Sequence, residues 1–253
     1  MTYLFIVIFG LIGGSFLNVL LFRLGKKDGL FLGRSECPKC LVRLKWYDLI
    51  PIFSYFQLKG KCRYCGKKIS TIYPIVEAIT ATFFLLFFIN NGIVLNIDTV
   101  FWLIILFFLV SIIFFDILYF IIPDKIVFPL ILLTISYNWF YRSIEFNNML
   151  LSGFVLGAFF AIIYMLSKGR WIGLGDAKLV FLMGLLFGYP FGFWVLVVSV
   201  WIAAIWGITL IILKKATIKT ALPFGTFLSV VSILFIIFEN IVRNEFQIIY
   251  WIF

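Results

Sequence analysis

The sequence predicts an all-α polytopic membrane protein with about eight transmembrane helices and a small zinc-ribbon-like insertion between the first two. Of the 253 residues, 64% are hydrophobic and only 13% are charged, with a mean hydropathy of +1.16. A soluble domain is about half apolar and about a quarter charged, so a single soluble core cannot bury this excess. The apolar residues also form long runs, and the four cysteines all lie in the one long polar segment.

The apolar runs define eight approximate spans: 2–22, 73–90, 99–116, 121–141, 148–167, 176–189, 191–213 and 222–242. Most of them approach the roughly 20 residues that cross a hydrocarbon core of about 30 Å, and only the span at 176–189 is clearly short. The run at 2–22 has no basic segment before it and no small-residue cleavage site after it. We therefore predict a first membrane helix there and not a cleaved signal peptide.

The spans divide the chain into a first transmembrane helix at 1–22, a soluble-looking segment at 23–72 and a transmembrane region at 73–253. Twelve of the 21 Lys and Arg residues lie in 23–72, and only two of the others fall on the opposite side if the spans alternate. Since basic loops stay in the cytoplasm, we predict a cytoplasmic 23–72 segment and an outside N-terminus in the plasma membrane. The net charge of +10 then follows from topology and indicates no nucleic-acid partner, while contact with anionic lipid or a substrate stays open.

The cysteines form two pairs, Cys37-Pro-Lys-Cys40 and Cys62-Arg-Tyr-Cys65, with 21 residues between the pairs. Two such knuckles can bring four thiolates to one point, which suits tetrahedral Zn²⁺. A closed four-cysteine site holds a fold together and leaves no position for a substrate. The reducing cytoplasm argues against disulfides, so structural zinc is the favoured interpretation and disulfide or redox chemistry is the alternative.

Four acidic residues stand apart from the loop acids because they lie in or beside apolar spans: Glu77, Asp116, Asp124 and Asp176. Acids inside membrane spans are costly and by default mark function. Asp116 follows a largely apolar run, and Asp176 closes a Gly-Leu-Gly-Asp turn just before a helix. For Asp124, which follows a proline and precedes a lysine, we expect a helix cap or an ion pair instead.

By the alternation of spans, Asp116 and Asp176 both lie near cytoplasmic helix ends. If packing brings them together, they cannot both ionise in a poorly solvated site and must share one proton. The ionised member can then activate water while its protonated partner polarises a peptide carbonyl, which is aspartyl-protease chemistry. The chain has no His, so His-based triads and zinc-protease motifs are excluded. A Ser-Lys dyad, a coupling-ion site in a transporter, and capping or ion-pair roles stay open.

Several motifs appear in order along nearly the whole chain. These are Gly14-Ser-Phe-Leu-Asn-Val19, the two cysteine pairs around Trp46-Tyr-Asp-Leu-Ile-Pro51, Ile69-Ser70 with Tyr73-Pro74 and Glu77, Asp116 with Ile122-Pro-Asp124, Gly173-Leu-Gly-Asp176, and Pro223-Phe-Gly225. Together they resemble the motifs of the type IV prepilin peptidases. The last one departs from the PFGPF element of that family, since Thr226 stands where proline is usual.

The resemblance implies a bifunctional enzyme. Members of the family cut the basic leader of prepilins or pseudopilins after a Gly at the cytoplasmic membrane face, and many then methylate the new N-terminus with S-adenosylmethionine. It also implies that 73–253 is the peptidase domain, with Asp116 and Asp176 catalytic, and that 23–72 carries the zinc and the methyltransferase region. No Gly-rich Rossmann turn appears, so Glu77 is the candidate on the methyltransferase side, against a cap or helix-dipole role. A scaffold that recruits partners through the zinc region is a third hypothesis.

Overall fold

The computed structural model describes residues 1–24, 35–143, 145–217 and 220–239. Within these ranges the α-helices are α1 Thr2–Arg23, α2 Phe53–Gln57, α3 Ile72–Asn91, α4 Ile97–Tyr119, α5 Asp124–Tyr141, α6 Phe146–Ser167, α7 Leu174–Phe187, α8 Phe191–Ile212 and α9 Phe224–Ile237. A 3₁₀ helix covers Trp46–Leu49, and the β-structure of these ranges consists of two isolated bridges. The prediction of an all-α fold is therefore confirmed.

Each of the eight predicted spans corresponds to one of these helices, and the short α2 inside the polar segment is an addition that the sequence did not indicate. In the part of the chain that the structure describes, five helices are long and apolar enough to cross a membrane, namely α1, α3, α4, α6 and α8. The α7 and α9 helices have only 14 residues each. At about 1.5 Å per residue such a helix is about 21 Å long, which is less than a hydrocarbon core. Residues 25–34 and 240–242, which belong to predicted segments, lie outside the described residues.

The chain divides into two compact units, with a boundary inside α4 between Ser111 and Ile112 and a return to the first unit at Ile237. In the first unit, α1 packs against α3 with the two backbones in direct contact. A Cβ atom added to Gly10 would lie 2.6 Å from the Cα atom of Ala81, and one added to Gly14 would lie 2.5 Å from the Cα atom of Glu77. The spacing of these glycines is the small-residue pattern by which membrane helices approach closely.

The second unit, Ile112–Ile236, uses the same device between α6 and α7. A Cβ atom added to Gly184 would lie 2.5 Å from the Cα atom of Gly153, and one added to Gly157 would lie 2.8 Å from the Cβ atom of Phe181. Polar side chains add a further link, since the Asn138 amide on α5 donates to the Leu185 carbonyl at 2.7 Å. This packing fixes α7, whose first turn carries Asp176.

Candidate active site and cysteine cluster

Asp116 lies in the last turn of α4 and is only 5% exposed. Its Oδ2 atom accepts two hydrogen bonds from Thr226, one from the backbone N–H at 2.6 Å and one from the hydroxyl at 3.0 Å. Thr226 is in the first turn of α9, where backbone N–H groups have no partner within the helix. A segment 110 residues away along the chain therefore holds this carboxylate.

Asp176 lies in the first turn of α7 and is partly buried. Its Oδ2 atom accepts a hydrogen bond from the Gly173 N–H at 3.0 Å, so the side chain caps the N-terminal end of its own helix. The carboxyl groups of Asp176 and Asp116 interact electrostatically, although they are sixty residues apart in the sequence. The structure thus brings together the two aspartates that the sequence singled out, within one compact unit.

Ile122 connects the two turns around these aspartates, and sequence reasoning gave it no role of its own. A Cβ atom added to Gly175 would lie 3.0 Å from the Cβ atom of Ile122. A Cβ atom added to Gly225 would lie 2.8 Å from Ile122 Cδ1 and 3.2 Å from Asp116 Oδ2. The Gly-Leu-Gly-Asp turn and the Pro-Phe-Gly turn therefore both approach the same buried side chain, and each needs a glycine at the point of contact.

Asp124 has a different environment. Its Oδ1 atom accepts a hydrogen bond from Lys178 Nζ at 2.7 Å, and its side chain is 56% exposed. The expectation of an ion pair for this residue is confirmed. Because Asp124 is neutralised by a neighbouring cation and open to solvent, it does not share the properties of the buried pair.

Glu77 is buried in α3, and its Oε2 atom accepts a hydrogen bond from the Ile52 N–H at 2.7 Å. Ile52 has a φ of 59°, a left-handed conformation that a β-branched residue rarely adopts. Two residues of the Gly14–Val19 motif on α1 contact the first two turns of α3. Gly14 lies against the Glu77 backbone, and the Asn18 amide donates to the Tyr73 carbonyl at 3.0 Å. Glu77 therefore fastens the polar segment to the α1–α3 pair.

The four cysteines come together as their spacing predicted. Their Sγ atoms all lie within 4.8 Å of one another, and those of Cys37 and Cys65 are 4.0 Å apart. None of the four is in a disulfide. A tetrahedral zinc ion with Zn–S bonds of about 2.3 Å needs sulfur atoms about 3.8 Å apart, so the donor set and its size fit such a metal.

The two cysteine knuckles have matching backbone geometry. In the first, the Cys37 N–H donates to the Val42 carbonyl at 3.0 Å, and the Leu41 N–H donates to the Cys37 carbonyl at 2.9 Å. In the second, the Cys62 N–H donates to the Lys67 carbonyl at 2.8 Å, and the Gly66 N–H donates to the Cys62 carbonyl at 2.9 Å. Each knuckle therefore aims its two thiols from a turn that is fixed by its own backbone.

Asp48 was classed from the sequence as an ordinary loop acid, but it is the centre of a polar network in the cysteine segment. It accepts hydrogen bonds from Arg63 Nε at 2.8 Å, from the Tyr64 hydroxyl at 3.1 Å and from the Lys45 N–H at 3.2 Å. Burial acts to raise the pKa of Asp48, but these donors, Arg63 foremost, outweigh it and hold the pKa below its usual value. Only the resemblance of its neighbours to a motif pointed to this position.

The chain matches two family profiles in succession. The bacterial peptidase A24 N-terminal domain matches residues 8–91, and the type IV leader peptidase family matches residues 103–208. No solved structure matches the chain significantly.

Curated relatives match over most of their length. A prepilin leader peptidase/N-methyltransferase of Bacillus subtilis is 33% identical over 90% of this chain and 90% of its own. That of Vibrio cholerae is 30% identical over 76% of this chain and 81% of its own. That of Legionella pneumophila is 27% identical over 98% of this chain and 95% of its own. Identity and coverage at this level, together with both profile matches, show that the chain belongs to the type IV leader peptidase family.

Proposed function

We propose that this protein is a membrane aspartyl endopeptidase that removes the leader of type IV prepilins or pseudopilins, with Asp116 and Asp176 as its catalytic pair. The observation that carries the proposal is the convergence on Ile122, within one compact unit, of Gly175, which precedes Asp176, and of Gly225, whose added Cβ atom would lie 3.2 Å from Asp116 Oδ2. The carboxyl groups of Asp116 and Asp176 are also close enough for their charges to interact. Membership of a peptidase family favours hydrolysis over the ion-coupled transport that the aspartates alone left open.

The hydrogen bonds at the pair leave room for this chemistry. The Oδ2 atoms of both aspartates are held by backbone N–H groups, and among the described residues no hydrogen bond reaches either Oδ1 atom. The Oδ1 atoms are therefore available to a water molecule and a peptide carbonyl. The ionised aspartate would take a proton from water while the protonated one donates to the carbonyl oxygen, and their roles then reverse as the amine departs.

The placement of charge supports cleavage at the cytoplasmic face of the plasma membrane. Asp116 is in the last turn of α4 and Asp176 is in the first turn of α7, so both lie at helix ends. The basic residues of the polar segment favour a cytoplasmic location for it and an outside N-terminus. The junction between the basic leader and the apolar helix of a prepilin would lie at the same membrane surface, and cleavage after a Gly at this junction is what the family resemblance implies.

We infer that Cys37, Cys40, Cys62 and Cys65 bind one structural Zn²⁺. The support is the clustering of four free thiols at a size that suits Zn–S bonds. The segment around them has two isolated bridges and two helices of four and five residues, so burial alone gives it a small core. A closed thiolate site would supply the missing stability and take no part in the reaction.

We also propose that the chain methylates the new N-terminus of its product with S-adenosylmethionine. The support is the N-methyltransferase activity in the names of its relatives. Glu77 is the candidate residue for this activity, because it is a buried carboxylate where α3 meets the polar segment. No nucleic-acid partner is expected.

Co-expression with a prepilin encoded near the gene for this chain tests the proposal. We expect a faster-migrating cut product on a gel, and mass spectrometry of the new N-terminus should show one added methyl group. A prepilin that stays at full length in the presence of the intact chain would contradict the peptidase assignment. A cut but unmodified N-terminus would contradict only the methyltransferase assignment.

A further inference from the structure

We infer that Thr226 is a positioning residue that holds Asp116 in both of its protonation states, an inference that rests on the proposed function. Thr226 places two donors on a single oxygen, the backbone N–H at 2.6 Å and the hydroxyl at 3.0 Å from Asp116 Oδ2. Among the described residues, these are the hydrogen bonds that the Asp116 carboxyl group accepts. The side chain is 5% exposed, so water cannot readily replace them.

The Thr226 hydroxyl has a second acceptor within reach. Its Oγ1 atom lies 3.4 Å from the Ile113 carbonyl oxygen, one turn before Asp116 on α4. While Asp116 is ionised, the hydroxyl donates to the nearer carboxylate oxygen. When Asp116 holds the proton on Oδ1, Oδ2 is the carbonyl oxygen of the acid and still accepts both donors, while the Ile113 carbonyl remains a second acceptor for the hydroxyl. No donor of Thr226 then becomes unpaired as the proton moves, which matters because an unpaired buried polar group is costly.

The two contacts also distinguish the two oxygen atoms of Asp116. Both hydrogen bonds hold Oδ2, so Oδ1 is the oxygen that accepts none from the described residues and is left for the substrate. Gly225 contributes to this arrangement, since a Cβ atom there would lie 3.2 Å from the same Oδ2. Thr226 is the position at which the chain departs from the PFGPF motif, and proline could supply neither donor. The pair of hydrogen bonds to Asp116 Oδ2 therefore depends on the threonine that this chain has at position 226.

Thr226→Val tests the inference because it removes the hydroxyl, keeps the backbone N–H and preserves the side-chain shape. In a cleavage assay with purified enzyme and a prepilin, we expect kcat to fall about tenfold, the effect of one lost hydrogen bond to a charged group, with KM within about twofold of its starting value. Thr226→Ser keeps both donors and should restore kcat to within about twofold. Thr226→Ala, which adds no bulk, serves as the second hydroxyl-free variant if the valine protein does not fold.

Thr134→Val is the matched control. Thr134 is buried in α5, and its hydroxyl donates to its own helix at the Leu130 carbonyl, 2.7 Å away. It should cleave at the rate of the unsubstituted chain. Full kcat in a folded hydroxyl-free variant, or failure of the serine variant to restore kcat, would overturn the inference while the peptidase stands. If the unsubstituted chain itself cuts no prepilin, the proposed function fails and the inference falls with it.

Discussion

The cysteine segment of the first unit and the helices of the second unit are held together in different ways. Residues 35–71 contain no helix longer than five residues, and they converge on four thiols and on the carboxylate of Asp48. The helices that lie wholly or almost wholly within the second unit have 14 to 22 residues, and the backbones of α6 and α7 touch at Gly153 and Gly184. The proposed metal ion would stabilise the first arrangement, whereas close backbone packing, with hydrogen bonds such as that of Asn138 to the Leu185 carbonyl, stabilises the second.

The two units also differ in what surrounds their buried acids. Glu77 and Asp116 are 7% and 5% exposed, and each accepts a backbone N–H from a remote segment at 2.7 Å and 2.6 Å. Asp116 interacts with a second carboxyl group, that of Asp176, whereas no acid is observed to interact with Glu77 among the described residues. Burial and anchoring are therefore common to both acids, and the neighbouring carboxyl group of Asp176 is what distinguishes Asp116 from Glu77.

Loss of the metal site should give the largest difference in stability between the cysteine segment and the helices of the second unit. Cys62→Ser deletes a buried ligand, and a structural zinc site contributes about 10 kcal/mol or more to the folding of a small domain. We expect bound zinc to fall from about one ion per chain to near none, and residues 35–71 to become sensitive to protease while the helices stay intact. Elemental analysis and limited proteolysis measure these two effects.

Lys39→Ser is the control for the metal experiment, because Lys39 is an exposed residue between two of the ligands. It should keep its zinc and its protease resistance. Zinc-free purified protein, or a cysteine variant that keeps its full metal content, would contradict the metal assignment.

Asp116→Asn and Asp176→Asn should each lower prepilin cleavage by about a thousandfold or more, since an amide cannot carry out the proton exchange proposed for the pair. Both proteins should still methylate a pilin whose leader has already been removed, because that activity is assigned to the first unit. Asp98→Asn makes the same charge change at the exposed start of the same helix as Asp116 and should cut normally. Normal cleavage by either catalytic variant would eliminate the aspartyl mechanism.

Glu77→Gln and Glu77→Ala distinguish two roles of Glu77 in the first unit: its negative charge and its hydrogen bond to the polar segment at Ile52. Glutamine can still accept the Ile52 N–H but carries no charge, whereas alanine loses both properties. We expect each to reduce methylation about tenfold or more, with cleavage changed less than about threefold, and alanine alone to loosen the polar segment. N-terminal mass spectrometry reports methylation, and proteolysis reports loosening. Full methylation by the glutamine variant would leave Glu77 with its tethering role only.

Gly184→Ala tests the shape-based packing of the second unit. The added Cβ atom would lie 2.5 Å from the Cα atom of Gly153, so α6 and α7 must move apart. We expect the free energy of unfolding in mixed micelles to fall by about 2 kcal/mol, a usual cost of overpacking. Gly13→Ala is the control, because its nearest neighbour, in the Phe107 ring, would be 3.8 Å away. Equal stability of the two alanine variants would show that the α6–α7 contact can relax.

Asp124→Asn should have the smallest effect. Its pairing with Lys178 is half-exposed, and exposed ion pairs contribute less than about 1 kcal/mol. We expect cleavage within about twofold of that of the unsubstituted chain and little change in stability. A large loss of cleavage in this variant would mean that a third acid takes part, and the two-aspartate assignment would then need revision.

The sequence predicted the helices, the cysteine cluster and the two aspartates because each has a local signal. Apolar runs have the length of a membrane, cysteine pairs have metal spacing, and an acid beside a long apolar run is rare. Thr226, Ile122, Asp48 and Ile52 could not be assigned in this way. Their roles arise where segments far apart in the sequence meet, and neither hydrophobic pattern nor spacing encodes such contacts. The signals available for them were the family motifs, as at Asp48 and Ile122, and the departure from one of these motifs at Thr226.

Ile122 lies against both Gly175 and Gly225, and this has a consequence for how such sequences can change. An added Cβ atom at Gly225 would meet the end of the Ile122 side chain, which a shorter residue at 122 would remove, whereas one at Gly175 would meet the Ile122 Cβ atom itself. Substitutions in the three segments should therefore depend on one another. Anyone transplanting one of these turns into a homologous enzyme would have to move all three together. The evolution of the site is then best followed by comparing positions 122, 175 and 225 together in related sequences.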